Sequence, residues 1–146
     1  MRSWRKKTIT NIWGVMSKVI LMMILAIVSN SAVAEWVKFG SNDNETMTAY
    51  IDAPSIGKPG KRVKMWILYD FITATAKAGK TYMSVRQQSE FDCKEEKMRI
   101  LYVSYHSGNM ARGEIISSSL GSKPMIWAPV PPESLIQSQW NIACKQ

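Results

Sequence analysis

Arg62-Val-Lys-Met-Trp-Ile-Leu-Tyr-Asp-Phe-Ile72 is the stretch on which the fold depends. Apolar side chains recur at Val63, Met65, Ile67, Tyr69 and Phe71, the two-residue period of a β-strand and not the 3.6-residue period of a helix. Trp66 and Leu68 stand between them, so both faces of this strand carry apolar groups. Lys97 to His106 repeats the pattern, with Met98, Ile100 and Tyr102 alternating with Leu101, Val103 and Tyr105. An open sheet with one solvated face does not require this, so the second face calls for a cover. Either the sheet curls on itself or a second copy packs there, and the exposed-patch argument favours a homodimer.

Four further stretches show the same period: Glu35 to Phe39, Thr46 to Asp52, Thr81 to Cys93 and Gly113 to Ser118. Together they predict six strands. The clusters Ser41-Asn-Asp-Asn44, Gly57-Lys-Pro-Gly60, Lys77-Ala-Gly-Lys80 and Ser107-Gly-Asn109 supply turn residues for antiparallel neighbours joined by short loops. After Gly121, the segment Lys123-Pro-Met-Ile-Trp-Ala-Pro-Val-Pro-Pro132 is too rich in proline for a ladder and is expected to be an extended crossover. It delivers the chain to a helix over residues 135–144, for which Ser134 and Gln137 form a capping box. Leu135, Ile136, Trp140, Ile142, Ala143 and Cys144 fall on one side of it, and Gln137, Ser138, Asn141 and Lys145 on the other. The fold class is therefore α+β, an antiparallel sheet with one C-terminal helix.

The N-terminus has a different character. Arg2, Arg5, Lys6, Lys7 and Lys18 precede the uncharged run Val19 to Val28, and Ser-Asn-Ser-Ala32-Val33-Ala34 follows. This is the pattern of a secretory signal peptide, with cleavage expected between Ala34 and Glu35. About ten apolar residues are too few for a membrane span, which needs roughly twenty. The leader also explains the charge. Of the 19 Lys and Arg residues five lie within residues 1–34, against none of the 11 Asp and Glu, so the overall +8 falls to +3 in the expected mature domain, residues 35–146. A strongly basic chain would invite a nucleic-acid reading; most of this excess leaves with the leader. Export also bears on the two cysteines, because an oxidising compartment favours a disulfide between Cys93 and Cys144 over a metal site. Free thiols or an intermolecular bond are the alternatives.

Catalytic signals are weak. One histidine, His106, lies at the expected end of the fifth strand in Ser104-Tyr-His-Ser107 and reads as a turn residue, since no Gly-x-Ser-x-Gly elbow accompanies it. A zinc site wants three or four ligands that the chain does not group, and haem ligation by a lone His rests on little. Glu90, Asp92, Glu95 and Glu96, interleaved with Lys94, Lys97 and Arg99, read as a solvated, self-compensating hairpin end. Lys58, Lys61, Arg62 and Lys64 precede the third strand, and Lys77 and Lys80 follow it. About 3.3 Å per residue puts these groups roughly 30 Å apart, well beyond a Debye length, which disfavours one continuous nucleic-acid groove. No enzyme activity, metal or cofactor is expected.

Taken together, Tyr50-Ile-Asp52 with Ser55-Ile56, Met65-Trp-Ile-Leu-Tyr-Asp70, Ser84-Val-Arg-Gln87 upstream of Cys93, and Ile142-Ala-Cys144 resemble the surface-adhesin protein E family of Gram-negative bacteria, over nearly all of residues 36–146. The resemblance implies a six-stranded antiparallel sheet, a C-terminal helix tethered by a disulfide to the concave face, and a dimer. It further implies a non-enzymatic surface adhesin that binds host matrix or serum proteins such as vitronectin and laminin. In the family a basic pair upstream of the Ser-Val-Arg-Gln stretch takes part in binding; here those positions are Gly79 and Lys80. Lys77, Lys80 and Arg86 are the binding residues expected on this basis. The family's adhesin has a lipid-modified cysteine directly after its leader, where this chain has Glu35. The expected location is thus periplasmic or secreted, with cell-surface display open. The alternative is a soluble periplasmic protein holding a small ligand or haem beneath the helix, around Trp140.

Overall fold

The computed structural model describes residues 34–120 and 126–145. The leader assigned to residues 1–34 lies outside them, Ala34 excepted. Six strands run as an antiparallel meander in chain order: β1 (Trp36–Ser41), β2 (Met47–Asp52), β3 (Arg62–Lys77), β4 (Lys80–Asp92), β5 (Lys97–His106) and β6 (Ile115–Leu120). A two-residue strand, β7 (Ala128–Pro129), follows, then helix α1 (Leu135–Cys144).

Three expectations need adjustment. First, β3 does not stop at Ile72: after an irregularity between Asp70 and Thr75 the chain resumes pairing with β4 and reaches Lys77 opposite Lys80. Ala78 (φ 49°) and Gly79 (φ 76°) both adopt left-handed backbone there, as a two-residue hairpin turn demands. Second, the proline-rich crossover does pair, at Lys97↔Pro129 and Met98↔Ala128, and Val130 N–H donates to the Glu96 carbonyl at 2.9 Å. The ladder is only two residues long, because Pro129 has no N–H to give. Third, the alternation assumed for β5 breaks. Ser89 pairs with Ile100 but Gln88 with Tyr102, so Leu101 is an extra residue and Tyr102 faces away from Met98 and Ile100.

The core lies on the face of β3 that carries Val63, Met65 and Ile67. These pack with Ile51, Phe91 and Met98 beneath Trp140 and Ala143 of α1. Full burial of side chains such as Phe91, Met65 and Ile67 contributes roughly 2 kcal/mol each. The helix starts where Ser134 Oγ accepts a hydrogen bond from Gln137 N–H at 3.1 Å, as the capping signal predicted. Trp140 Nε1–H donates to the Asp92 carbonyl at 3.1 Å, and Cys93 and Cys144 form a disulfide. Gln139, assigned to neither side from sequence, is fully buried; its amide donates to the Tyr69 hydroxyl at 2.8 Å, and burial pushes that phenol up from its ordinary pKa. At the N-terminal end of α1, Leu135 lies against Gly40 of β1, where a Cβ would come within 2.7 Å of Leu135 Cδ2.

Candidate functional site

Strand register sorts the predicted binding residues onto two surfaces. Lys77 and Lys80 oppose each other across the β3–β4 hairpin, and residues 76–81 around them are exposed. Like charges directly opposite repel. Lys77 relieves this by placing its Nζ 3.6 Å from the centroid of the Tyr105 ring, a cation–π contact. Tyr105 in turn meets Tyr82 edge-on at 5.0 Å, and Tyr82 meets Phe71 at 5.6 Å. The tip is therefore a cationic hairpin braced by three aromatic rings, with Lys80 unburdened by any such contact among the described residues. Arg86 is not part of it. By register it shares a face with Trp66, opposite the helix, and its guanidinium stacks over that ring at 4.0 Å.

That second face is where sequence reasoning saw least. The pairing Trp66↔Gln88, Gln88↔Tyr102 and Tyr102↔Leu120 forms one row across four strands, and Trp66 and Tyr102 meet edge-on at 5.9 Å. Beside it runs the row Lys64, Glu90, Arg99. Glu90 and Asp92 are not the solvated carboxylates expected; they are 6% and 5% exposed. Glu90 accepts from Arg99 Nε at 2.6 Å, and Asp92 accepts from the N–H groups of Lys94 and Glu95, both at 3.0 Å. The backbone bond from Glu95, foremost, holds the Asp92 carboxyl below the usual range. Arg62 and Arg99 both stack on Trp127, at 5.2 and 4.5 Å. Long cationic side chains lying over aromatic rings thus cover part of this face within a single chain, and Leu68 is fully buried there. Of the exposed large apolar residues, Ile115, Leu120 and Ile126 lie at and just beyond β6, and Val37, Ile72 and Ile100 lie on other strands.

His106 is a buried strand residue and not an exposed turn: it is 7% exposed, and its Nε2 lies 2.9 Å from Ser104 Oγ. Burial, with Arg86 nearby, lowers its pKa. The loop after it is tied back to β3 and β4, where Asp70 accepts from Met110 N–H at 2.7 Å and Ser84 Oγ accepts from Ala111 N–H at 2.9 Å. Beneath the helix, Trp140 packs with the core side chains. Among the described residues no three His, Cys, Asp or Glu side chains are grouped to hold a metal, and no helix is long and apolar enough to cross a membrane.

The sequence matches the profile of the family described as surface-adhesin protein E over residues 36–145. This chain belongs to the surface-adhesin protein E family. Solved structures agree on the fold. Crystal form II of Haemophilus influenzae protein E superposes with a TM-score of 0.55 at 15% identity, covering 79% of this chain and 91% of that one. The selenomethionine form of the same protein gives 0.53 at 14% identity, covering 75% and 86%. No curated protein matches the chain. At this identity the likeness is one of fold alone. Lys77 and Lys80 were expected from turn residues and the family pattern, and the structure puts both at the exposed hairpin tip. The Arg86–Trp66 and Arg99–Trp127 stacks carried no sequence signal, because nothing local links residues 20 or more positions apart.

Proposed function

We propose that this protein is an exported, non-enzymatic binding protein whose β3–β4 hairpin tip contacts host extracellular-matrix or serum proteins. The observation that carries this reading is membership of the surface-adhesin protein E family combined with an exposed, cationic tip at Lys77–Lys80. An acidic patch on a host protein would meet Lys80 first, with the Tyr105–Tyr82–Phe71 rings behind it as a rigid support. The leader would route the chain through the inner membrane and release residue 35 onward, into the periplasm or beyond. A second copy, packed on the apolar margin at Ile115, is part of the proposal.

Full-length protein expressed with its leader is fractionated, and the exported form is applied to immobilised vitronectin and laminin. Binding by the wild type, weakened by Lys80→Ala, supports the reading. Binding that survives Lys80→Ala removes the tip from the interface, and absence of binding to either protein removes the host-protein reading. Intact mass fixes the cleavage site, and light scattering at micromolar concentration distinguishes dimer from monomer.

A further inference from the structure

The face opposite the helix holds an open groove of about 530 Å³, lined by Lys64, Trp66, Gln88, Arg99, Leu101, Tyr102 and Leu120. Its volume is in the range of small-molecule sites, roughly 300–1,000 Å³. The floor is the Trp66–Gln88–Tyr102–Leu120 row, and the β5 bulge adds Leu101 to it. Two aromatic rings and two leucines give an apolar bed, with one carboxamide in its middle.

Charge selects among possible occupants. Asp92 pairs with Arg62 at 3.7 Å, and Glu90 takes Arg99, which leaves Lys64, of the two cations lining the groove, with no ion-pairing carboxylate among the described residues. A negatively charged group is what Lys64 lacks. A neutral sugar would leave it unpaired, and a cation would be repelled. From this geometry we infer that the groove is a binding site for a small amphipathic anion: an apolar body lies on Trp66, Tyr102, Leu101 and Leu120, and a carboxylate, sulfonate or phosphate reaches Lys64, with Gln88 donating beside it. The site stands on the opposite face from the Lys77 contact with Tyr105, so it does not rest on the host-protein reading.

The probe is 8-anilinonaphthalene-1-sulfonate, an aromatic anion that fluoresces when its rings leave water. Its partner is N-phenyl-1-naphthylamine, the same ring system without the sulfonate. Wild-type protein is expected to bind the sulfonate saturably, and Lys64→Gln to weaken it about tenfold, the worth of one hydrogen bond to a charged group. Lys80→Gln, which removes the same charge at the hairpin tip, should change it by less than about twofold, since distant exposed charges are screened. The neutral amine should bind wild type and Lys64→Gln alike. Leu120→Asp, at an exposed position on β6, should abolish binding of both. Decanoate should displace the sulfonate, and a poly-glutamate peptide should not. The proposal is overturned if wild type fails to bind the sulfonate, if Lys64→Gln and Lys80→Gln weaken it equally, or if Leu120→Asp leaves it intact. Displacement by poly-glutamate but not by decanoate overturns it in favour of an acidic protein segment. Far-UV circular dichroism on each variant confirms that the fold is retained.

Discussion

Removing the disulfide by the double substitution Cys93→Ala, Cys144→Ala tests how much of this domain's stability resides in its unfolded state. The bridge spans 51 residues. In the chain-entropy model, closing a loop of that length withdraws denatured-state entropy worth about 4 kcal/mol at 25 °C. The native side should change little. Cys144 ends a helix that Trp140 and Ala143 already anchor, and the Cα atoms of the pair lie 5.4 Å apart, an ordinary separation for a disulfide. Small domains have about 5–15 kcal/mol in total, so the variant should fold while losing a large share of its margin. Urea unfolding followed by both tryptophan fluorescence and far-UV circular dichroism is the assay. With a slope of about 1–2 kcal/mol/M, the midpoint should fall by about 2–4 M. The slope itself should rise, because an uncrosslinked denatured chain exposes more surface. Wild type unfolded in reductant should trace the curve of the double variant. A loss under about 1 kcal/mol would refute the unfolded-state argument. Non-coincident probes, with the helix released while the sheet persists, would show that the bridge is a local clamp.

Three more outcomes follow from the packing. Gly40→Ala should destabilise by about 1 kcal/mol, since its Cβ meets the end of a flexible leucine and not backbone; combination with Leu135→Ala should recover part of the loss in a double-mutant cycle. Glu90→Ala strips a buried partner from Arg99 and should cost about 2 kcal/mol by urea unfolding, less than a fully buried pair because Arg99 stays partly solvated; a cost within 0.5 kcal/mol, about that of an ordinary surface change, would contradict this. His106 has a folded pKa below its unfolded value, so its contribution is complete above the unfolded value of about 6.5 and is lost as pH falls toward the folded one. Wild type should therefore lose stability as pH falls through the unfolded value, and His106→Gln should flatten that slope; an equal slope in the variant would exclude His106 as its source.

Much of the architecture was legible because its determinants are local. Six period-two stretches, the turn clusters between them and the Ser134 cap each act within a few residues, and each produced the element expected. The hairpin tip was legible for the same reason: Ala78 and Gly79 sit where a two-residue turn must go, although the strand was expected to end at Ile72 and Thr75–Lys77 pair because β4 continues beside them. The β5 bulge was not legible. Leu101, Tyr102 and Val103 read as an unbroken alternation, and only the partner strand's register shows that one residue is surplus.

The candidate surfaces divide along the same line. Lys77 and Lys80 were named from turn signals and the family resemblance together with Arg86, and the structure puts Arg86 on a different surface from them, stacked on Trp66. Glu90 and Asp92 looked solvated because charged residues usually are, yet both are buried, Glu90 against Arg99 across the hairpin and Asp92 against Arg62 and the N–H groups of its own turn. Periodicity, turn chemistry and the two cysteines suffice to dictate an antiparallel sheet closed by a tethered helix, since these act through backbone geometry and hydrophobic patterning. Which cation covers which ring, which carboxylate is paired and where a groove stays open follow from strand register across five or six chain segments. Those contacts are long-range, and their energies exist only once the sheet has formed.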